Sequence, residues 1–594
     1  LEGEAALEHA ALGERRAGPR LEAVESVVDL ADHDDAPWSI DVLQTLVDAS
    51  LVRLLGENAL GERRFGLLAS MQAYARERLT DPEPVQDRHL AFYARFGDEQ
   101  ERTALHRFGG SARWWALADE AENLAAGNRR AQATGDAVRA FETVSALHAI
   151  AQRTTAAVVA PFLDATLAMV TSRPRLRAEV LELVANAQSA QGHLDAAARS
   201  VAEALALYRE VGDRRSEVEA LRSLGSLERL MGDTTSALER LEQALALAEA
   251  LGEPASVARV RSSLGIVQHI LGRSDEAIRT YVAALATYRA HGNRPAEAQT
   301  LNNLAIDYRA LDKKDQAFEA YQSALAIHRE VGNQRLAAGV LHNLALLYAD
   351  WGRFDESRKA FAEALAIHRA ARDRVDEGLL LTNQGLLELE LGRLDAAEPI
   401  LEESLAIHRA VGNRRFEALS TAHLGMLHDL RGHPGKAEAA FRDAVSMHRE
   451  VRGRIDLAET LSNLGGLLHA LGRTDEARPV LEESVELARA LGTSGLEGRI
   501  ATALALVLAE QGDPDARPTF DRGEQLVREL GDERLVARVQ SRRARLEYRE
   551  GQTEQALRTL SEAETLADGF EDLPTSLLRR EITDARREIT AREG

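Results

Sequence analysis

The 594-residue chain contains no cysteine. This excludes disulfide scaffolds, cysteine-ligated zinc or iron–sulfur sites and thiol catalysis, and it agrees with a reducing compartment. Only 14 prolines occur. No apolar run approaches the ~18 to 20 residues that span a bilayer, and the N-terminus lacks the basic-then-apolar layout of a signal peptide. The chain therefore reads as cytoplasmic, with no membrane partner. It opens at Leu1 rather than Met and is expected to be part of a longer protein or a processed product. Positive charge is also short: 73 Lys and Arg face 95 Asp and Glu, a formal net charge of −22. Such a field repels phosphate backbones and anionic lipid, so nucleic acid is a poor first candidate. With 45% hydrophobic and 28% charged residues the chain is too apolar for disorder and too long for one core.

Sites for chemistry are missing as well. A phosphate-binding loop needs glycines followed by Lys and Ser or Thr, and the nearest string, GHPGKAE at 432–438, has the wrong spacing and lacks the hydroxyl. No GxSxG, HExxH or kinase signature occurs. The chain is read as non-enzymatic and without cofactors.

What is present is a period of forty residues. Gly192, Gly232, Gly272, Gly352, Gly392, Gly432, Gly472 and Gly512 recur at forty-residue steps, with Asp312 standing in once. Small residues recur before each turn at Gly225, Gly265, Ala305, Ala345, Gly385, Gly425 and Gly465. They recur again after it, at Ala237, Ala277, Ala317, Ala397, Ala437 and Ala477, with Ser357 as the exception. Between them apolar residues fall at i, i+3, i+4 and i+7, as at Leu301, Leu304, Ala305 and Tyr308, so each repeat is two amphipathic helices. The second helix stops at Gly212, Gly252, Gly292, Gly332, Gly412 or Gly492, where glycine takes the left-handed conformation. Asp213, Asn293, Asn333 and Asn413 follow and are placed to cap the next helix.

These residues resemble the tetratricopeptide repeats in their forty-residue form. LNNLAIDYRALDKKDQAFEAYQSALAIHRE is close to the pattern of kinesin light chains and many bacterial regulators. The resemblance implies an all-α, right-handed superhelical solenoid of about ten or eleven helix pairs over residues 175–570. A polar capping helix follows within 571–594.

Residues 1–82 lack the repeat. The segment WSIDVLQTLVDASLVRLLGENALGERRFGLLASMQAYARERL reads as a helix near 40–50, an extended pair around Leu51 to Leu55 and Arg64 to Leu68, and a helix from Ala69 to Leu79. It resembles the winged helix that follows the nucleotide-binding (NB-ARC-like) module of bacterial STAND-type signalling ATPases, which implies an ATPase core upstream. Residues 1–80 hold 15 acidic and 8 basic side chains, a local charge of −7 and the wrong sign for duplex DNA. Packing on a neighbouring module is preferred over base reading. Arg15, Arg16, Arg63, Arg64, Arg76 and Arg78 would form a small basic face if the fold gathered them. Residues 83–130, with ARWWALADEAENLAAGNRRAQATGD, resemble the helical connector of the same regulators, where Trp114 and Trp115 are read as anchors against the first repeat. A degenerate repeat is placed at 131–174.

Histidines recur at His328, His368, His408 and His448. A metal ladder is one reading. Packed helices lie roughly 8 to 10 Å apart, while zinc ligands must approach within about 2.1 Å, so successive histidines cannot share a metal. Tyr208 and Tyr288 at the same position favour packing. A further oddity is Gln384, which stands where the repeats otherwise place a buried leucine; a buried amide without partners costs about 1 to 3 kcal/mol.

In the resembled family the first helices line a concave groove, and the residue before the Leu-Gly or Leu-Ala pair faces it. Here this residue is Asn303, Asn343, Asn383 or Asn463, with Ser223, Ser263 and His423 in other copies. An amide offers donor and acceptor and so suits the backbone of an extended peptide. A helix-to-helix hydrogen bond, or solvation, is the alternative. The family's other groove positions give Arg222, Arg229, Arg259, His269 and Arg309 toward the N-terminal end, and His342, Asp350, Glu390 and Asp429 further along. Such a groove is bipolar, unless the charges are ordinary surface scatter, and it lacks the lysine-rich clamp of chaperone adaptors.

Function is accordingly expected to be the ligand-sensing, protein-interaction arm of a STAND-type regulator, its groove holding a protein or peptide and relaying to the upstream module. Two alternatives stand beside it: a constitutive scaffold, and a DNA-binding regulator acting through the winged helix.

Overall fold

The computed structural model describes residues 20–27, 39–67, 77, 81–104, 110–151, 159–371, 373–451, 453–529, 532–570 and 576–590. Ten helix pairs follow one another from Pro174 to Asp568. Their cause is local. First helices such as Arg214–Leu230 end in glycines with positive φ: at Gly232 (φ 88°) the chain reverses, with Asp233 N donating to Glu228 O at 2.9 Å. Asp312 adopts the same left-handed conformation (φ 54°) where glycine is missing. At the other junction the side chains of Asp213, Asn293 and Asn413 accept from the backbone amides of Ser216, Ala296 and Phe416, capping the next helix.

Consecutive repeats are also joined by a charge clamp. Glu217 lies between Arg209 (2.7 Å) and Arg214 (2.8 Å), Glu297 between Arg289 (2.9 Å) and Arg294 (2.8 Å), and Glu377 between Arg369 (2.9 Å) and Arg374 (2.6 Å). Burial alone would raise the Glu217 pKa, but the hydrogen bonds from both arginines outweigh it and hold the carboxylate below its usual range.

By contact density the chain falls into two compact units, residues 1–311 with 322–333 and residues 312–321 with 334–594. In the first, the helices Leu21–Val27 and Ser39–Asp48 precede an antiparallel strand pair, Val52–Glu57 and Arg63–Leu67, with a register shift between Leu54 and Gly56. The helix expected over 69–79 lies outside the described residues, apart from Glu77. Arg64 leaves the hairpin to donate to Glu120 Oε1 at 2.6 Å, and buried Arg20 bonds Glu62 at 2.9 Å. Helices Glu83–Ala94, Gly110–Ala118, Ala121–Thr134, Ala137–Ala151 and Ala160–Met169 then share one core with the first repeat helix, Pro174–Ala190, and the short helix Glu99–Ala104 lies between the first two in sequence. Trp114 is buried in that core, its indole N–H on Ala149 O at 3.0 Å. Trp115 is not an anchor: it is 58% exposed and meets Trp114 edge-on, because adjacent helical residues point to different faces.

In the second unit the pairs run from Gln334–Asp350 with Phe354–Ala370 to Glu533–Arg549 with Thr553–Asp568, followed by the helix Leu577–Thr590. That last helix buries Leu578, Ile582, Ala585 and Ile589 in the core of the final pair, so its inner face is apolar. Close approach requires glycine at particular helix crossings. A Cβ on Gly425 would lie 2.8 Å from the buried Phe441 ring, and one on Gly498 would lie 2.7 Å from Gly523 O. Gln384 is only half-buried and leaves no orphaned polar atom, so its anticipated desolvation cost does not arise. His328, His368, His408 and His448 are all buried, with exposures of 3% or less, and His408 stacks on Phe416. No helix among the described residues is long and apolar enough to cross a membrane.

Candidate ligand-binding groove

Successive first helices touch one another directly in both units, which makes them the inner, concave row. In the first unit Arg214–Leu230 touches Pro254–Ile270, which touches Arg294–Ala310. In the second the row runs from Arg374–Glu390 through Arg414–Leu430, Arg454–Ala470 and Ser494–Glu510 to Glu533–Arg549. Within the second unit Arg374–Glu390 also touches the final helix Leu577–Thr590, so this inner row curls back on itself.

The first unit's inner-row helices carry Arg222, Arg229, Arg259, His269, Asn303 and Arg309. Asn303 is half-buried and accepts a long bond from Gln299 at 3.5 Å. Arg222 and Arg259 converge on Glu219, at 3.0 and 2.6 Å. Burial raises the pKa of Glu219, but the two guanidinium groups outweigh this and lower it overall. His269 Nδ1 sits 2.9 Å from the fully buried Asp307 of the next inner helix. Arg229 pairs with no carboxylate among the described residues, and Arg309 has a partner. Glu219 and Asp307 were not singled out from sequence; Glu219 is three residues from Arg222, a spacing that places both on one helical face.

In the second unit Asn343, Asn383 and Asn463 are half-buried. Asn383 Nδ2 donates to His342 Nε2 of the preceding inner helix at 2.8 Å, so this pair ties two repeats together. Asn343 has a partner, and Asn463 has no hydrogen bond among the described residues. His423, at the corresponding position of its repeat, is buried, and desolvation lowers its pKa to about 4, which keeps it neutral. Asp350 and Glu390 are exposed, yet the crowding of neighbouring groups desolvates Glu390 and raises its pKa. Arg538, Arg534 and Arg499 oppose that rise, while Asp350 adds to it. Burial likewise raises Asp429, against Arg580 of the final helix. The acidic stretch therefore faces arginines supplied by the unit's own C-terminal helices. No local spacing announces this, because the partners lie over a hundred residues apart in sequence.

A repeated helix pair of forty residues, small residues at its crossing and an inner row of polar side chains make up the pattern matched by the tetratricopeptide repeat family model. The matches cover residues 176–250, 256–330, 315–370, 336–410, 376–450 and 456–516. The chain belongs to the tetratricopeptide repeat family. No curated protein sequence matches it. Among solved structures, this tetratricopeptide repeat chain is similar to a signal transduction ATPase with numerous domains (STAND) carrying a tetratricopeptide repeat sensor, from Pyrococcus horikoshii. The two are 14% identical with a TM-score of 0.48, covering 75% of this chain and 62% of that one. It is also similar to a Rap protein complexed with competence and sporulation factor (15% identical, TM-score 0.40, 63% and 99% covered). A third is the apo form of the quorum sensor NprR from B. thuringiensis (14% identical, TM-score 0.43, 60% and 98% covered). At these identities the likeness is one of fold.

Proposed function

We propose that this tetratricopeptide repeat chain is a non-enzymatic sensing and interaction arm whose inner face holds a protein or an extended peptide. The observation that carries this is the accessible part of the asparagine row: Asn303 and Asn463 keep amide capacity unspent, while Asn383 is committed to His342. Amides that neither cap nor cross-link helices suit a ligand's backbone, because they pair with it irrespective of its side chains. Arg229 adds an uncompensated positive group to the first unit's inner face, which favours an acidic residue there.

The resemblance of the N-terminal segments supports a finer proposal, that the arm reports to an upstream nucleotide-binding module of the STAND type. Such reporting requires that the ligand bind the arm's two states with different affinity. The hairpin's attachment to Glu120 through Arg64 gives the N-terminal residues a direct path to the connector. The same contact weighs against base reading, since it removes Arg64 from any basic face.

A decapeptide display library selected on the parent chain tests the groove. Enriched peptides should bind an Asn303→Ala, Asn343→Ala, Asn463→Ala variant at least about tenfold more weakly, the loss of one to two hydrogen bonds' worth of affinity, with unchanged circular dichroism. Equal affinity for parent and variant would exclude the asparagine row as the site.

A further inference from the structure

At the N-terminal end of the first unit's inner row lies a cavity of about 710 Å³, within the range of small-ligand sites. It is bounded by the repeat helices Pro174–Ala190, Leu194–Val211 and Arg214–Leu230 on one side and by Glu99–Ala104, Gly110–Ala118 and Ala137–Ala151 on the other. Trp114, Phe141 and Leu183 give it an apolar wall.

Its polar groups are unevenly matched. Ser145 is 1% exposed, lines the cavity, and its Oγ has no hydrogen-bond partner among the described residues. Helical hydroxyls ordinarily bond back to a preceding carbonyl, as Thr143 does to Arg139 O at 2.7 Å. On the facing helix Glu182 accepts from the Tyr208 hydroxyl at 3.1 Å and makes no ion pair among the described residues. Burial first, and then the neighbouring Glu219 and Glu179, push its pKa up to about 7, against the lowering effect of Tyr208 and Arg222. Glu179 is raised by burial too, and its ion pair is with the mostly exposed Arg175 at 3.4 Å. Glu219, by contrast, already holds two arginines. The lining also carries arginines, of which Arg222 and Arg259 are held by Glu219 and Arg102 lies over the Phe141 ring; what remains is one carboxyl group without an ion pair among the described residues, a second paired to an exposed arginine, and a buried hydroxyl short of a partner, beside an aromatic surface. A cation would favour the two carboxylates, since an opposite charge stabilises a buried carboxylate, and a hydrogen-bonding ligand group would satisfy the orphaned oxygen.

We infer that this cavity binds a ligand bearing a protonated primary amine on an apolar or aromatic body, the ammonium held by Glu182 and Glu179 and the body by Phe141 and Trp114. Two sources share this chemistry, the free N-terminus of a short peptide and a small amine. The inference stands apart from occupancy of the asparagine row.

Isothermal titration of the full chain with Phe-Ala-Ala, N-acetyl-Phe-Ala-Ala and phenethylamine tests it. At least one of the two amine-bearing probes is expected to bind, and the acetylated tripeptide at least about tenfold more weakly, since acetylation removes the charge. Binding of the tripeptide alone assigns the site to peptide N-termini; binding of phenethylamine assigns it to small amines. Glu182→Gln, which keeps an acceptor for Tyr208, and Glu179→Gln should each weaken the binding about tenfold. The asparagine triple variant should leave it unchanged, so failure here and failure of the groove reading are separable. Absence of binding by both amines, equal binding of the acetylated tripeptide, or unchanged binding in both glutamine variants would overturn the inference.

Discussion

Glu182 illustrates how far a single side chain's behaviour departs from its sequence context. Its folded pKa is raised to about 7 from 4.5, so the folded state binds the extra proton between those values. Stability from this group is undiminished below pH 4.5 and falls as pH rises through 7. Glu182→Gln is therefore expected to unfold at a higher temperature than the parent at pH 8 and at the same temperature at pH 4, as read by differential scanning calorimetry. The opposite sign holds at His448, fully buried with neither ring nitrogen partnered among the described residues, whose pKa is lowered by burial. His448→Leu should stabilise the chain by about 1 to 2 kcal/mol in urea unfolding, because an unsatisfied polar group is replaced by an apolar one of similar size. The asparagines separate by the same accounting. A double-mutant cycle on Asn383→Ala and His342→Ala should return a coupling of about 0.5 to 1.5 kcal/mol, whereas Asn463→Ala should change stability by less than about 0.5 kcal/mol. The four asparagines look alike in sequence; Asn383 is spent because the preceding inner helix offers His342, and Asn343 also has a partner, while Asn463 has none among the described residues.

Individual helices were the most legible level. Turn glycines, Asx caps and the small residues at 225, 265, 305, 345, 385, 425 and 465 act within one repeat, so their causes sit within forty residues of sequence. The crossing of Ser494–Glu510 with Ala516–Arg528 is tighter than the pattern announces: Gly498 and Gly523 bring backbone against backbone. A methyl group there meets a carbonyl rather than a flexible side chain. Gly498→Ala should cost about 1 to 3 kcal/mol despite alanine's better helix propensity, measured by urea unfolding. The glutamate clamps also follow from a readable spacing, Arg at −8 and −3 from Glu, yet their meaning emerges only when the second helix of one repeat meets the first helix of the next. At the N-terminal end only the helix and hairpin of the winged-helix pattern fall among described residues, as Ser39–Asp48, Val52–Glu57 and Arg63–Leu67.

Across the whole molecule, protons act on many repeats at once. His148, His328, His408, His423 and His448 have pKa values lowered first by burial, so the stability they lend is complete above pH 6.5 and lost as pH falls below it. Clamped carboxylates such as Glu217 and Glu417 add a second loss below pH 4.5. Raised carboxyls, Glu142, Glu179, Glu182, Glu228, Glu390 and Asp429, work the other way but are fewer than these buried histidines and clamped carboxylates. The melting temperature should accordingly decline from pH 7 to pH 5 and more steeply below 4.5 in a calorimetric series. The sequence alone determined the repeat, its helix pairs, and their turns and caps, because each rests on contacts between residues close along the chain. Only the tertiary structure decided which inner-row groups remain available. Arg499, Arg534 and Arg538 face Glu390, Arg580 faces Asp429, and the connector helices close the cavity over Glu182. Those meetings depend on how the stacked repeats curve, a small rotation summed over many copies that no single repeat encodes.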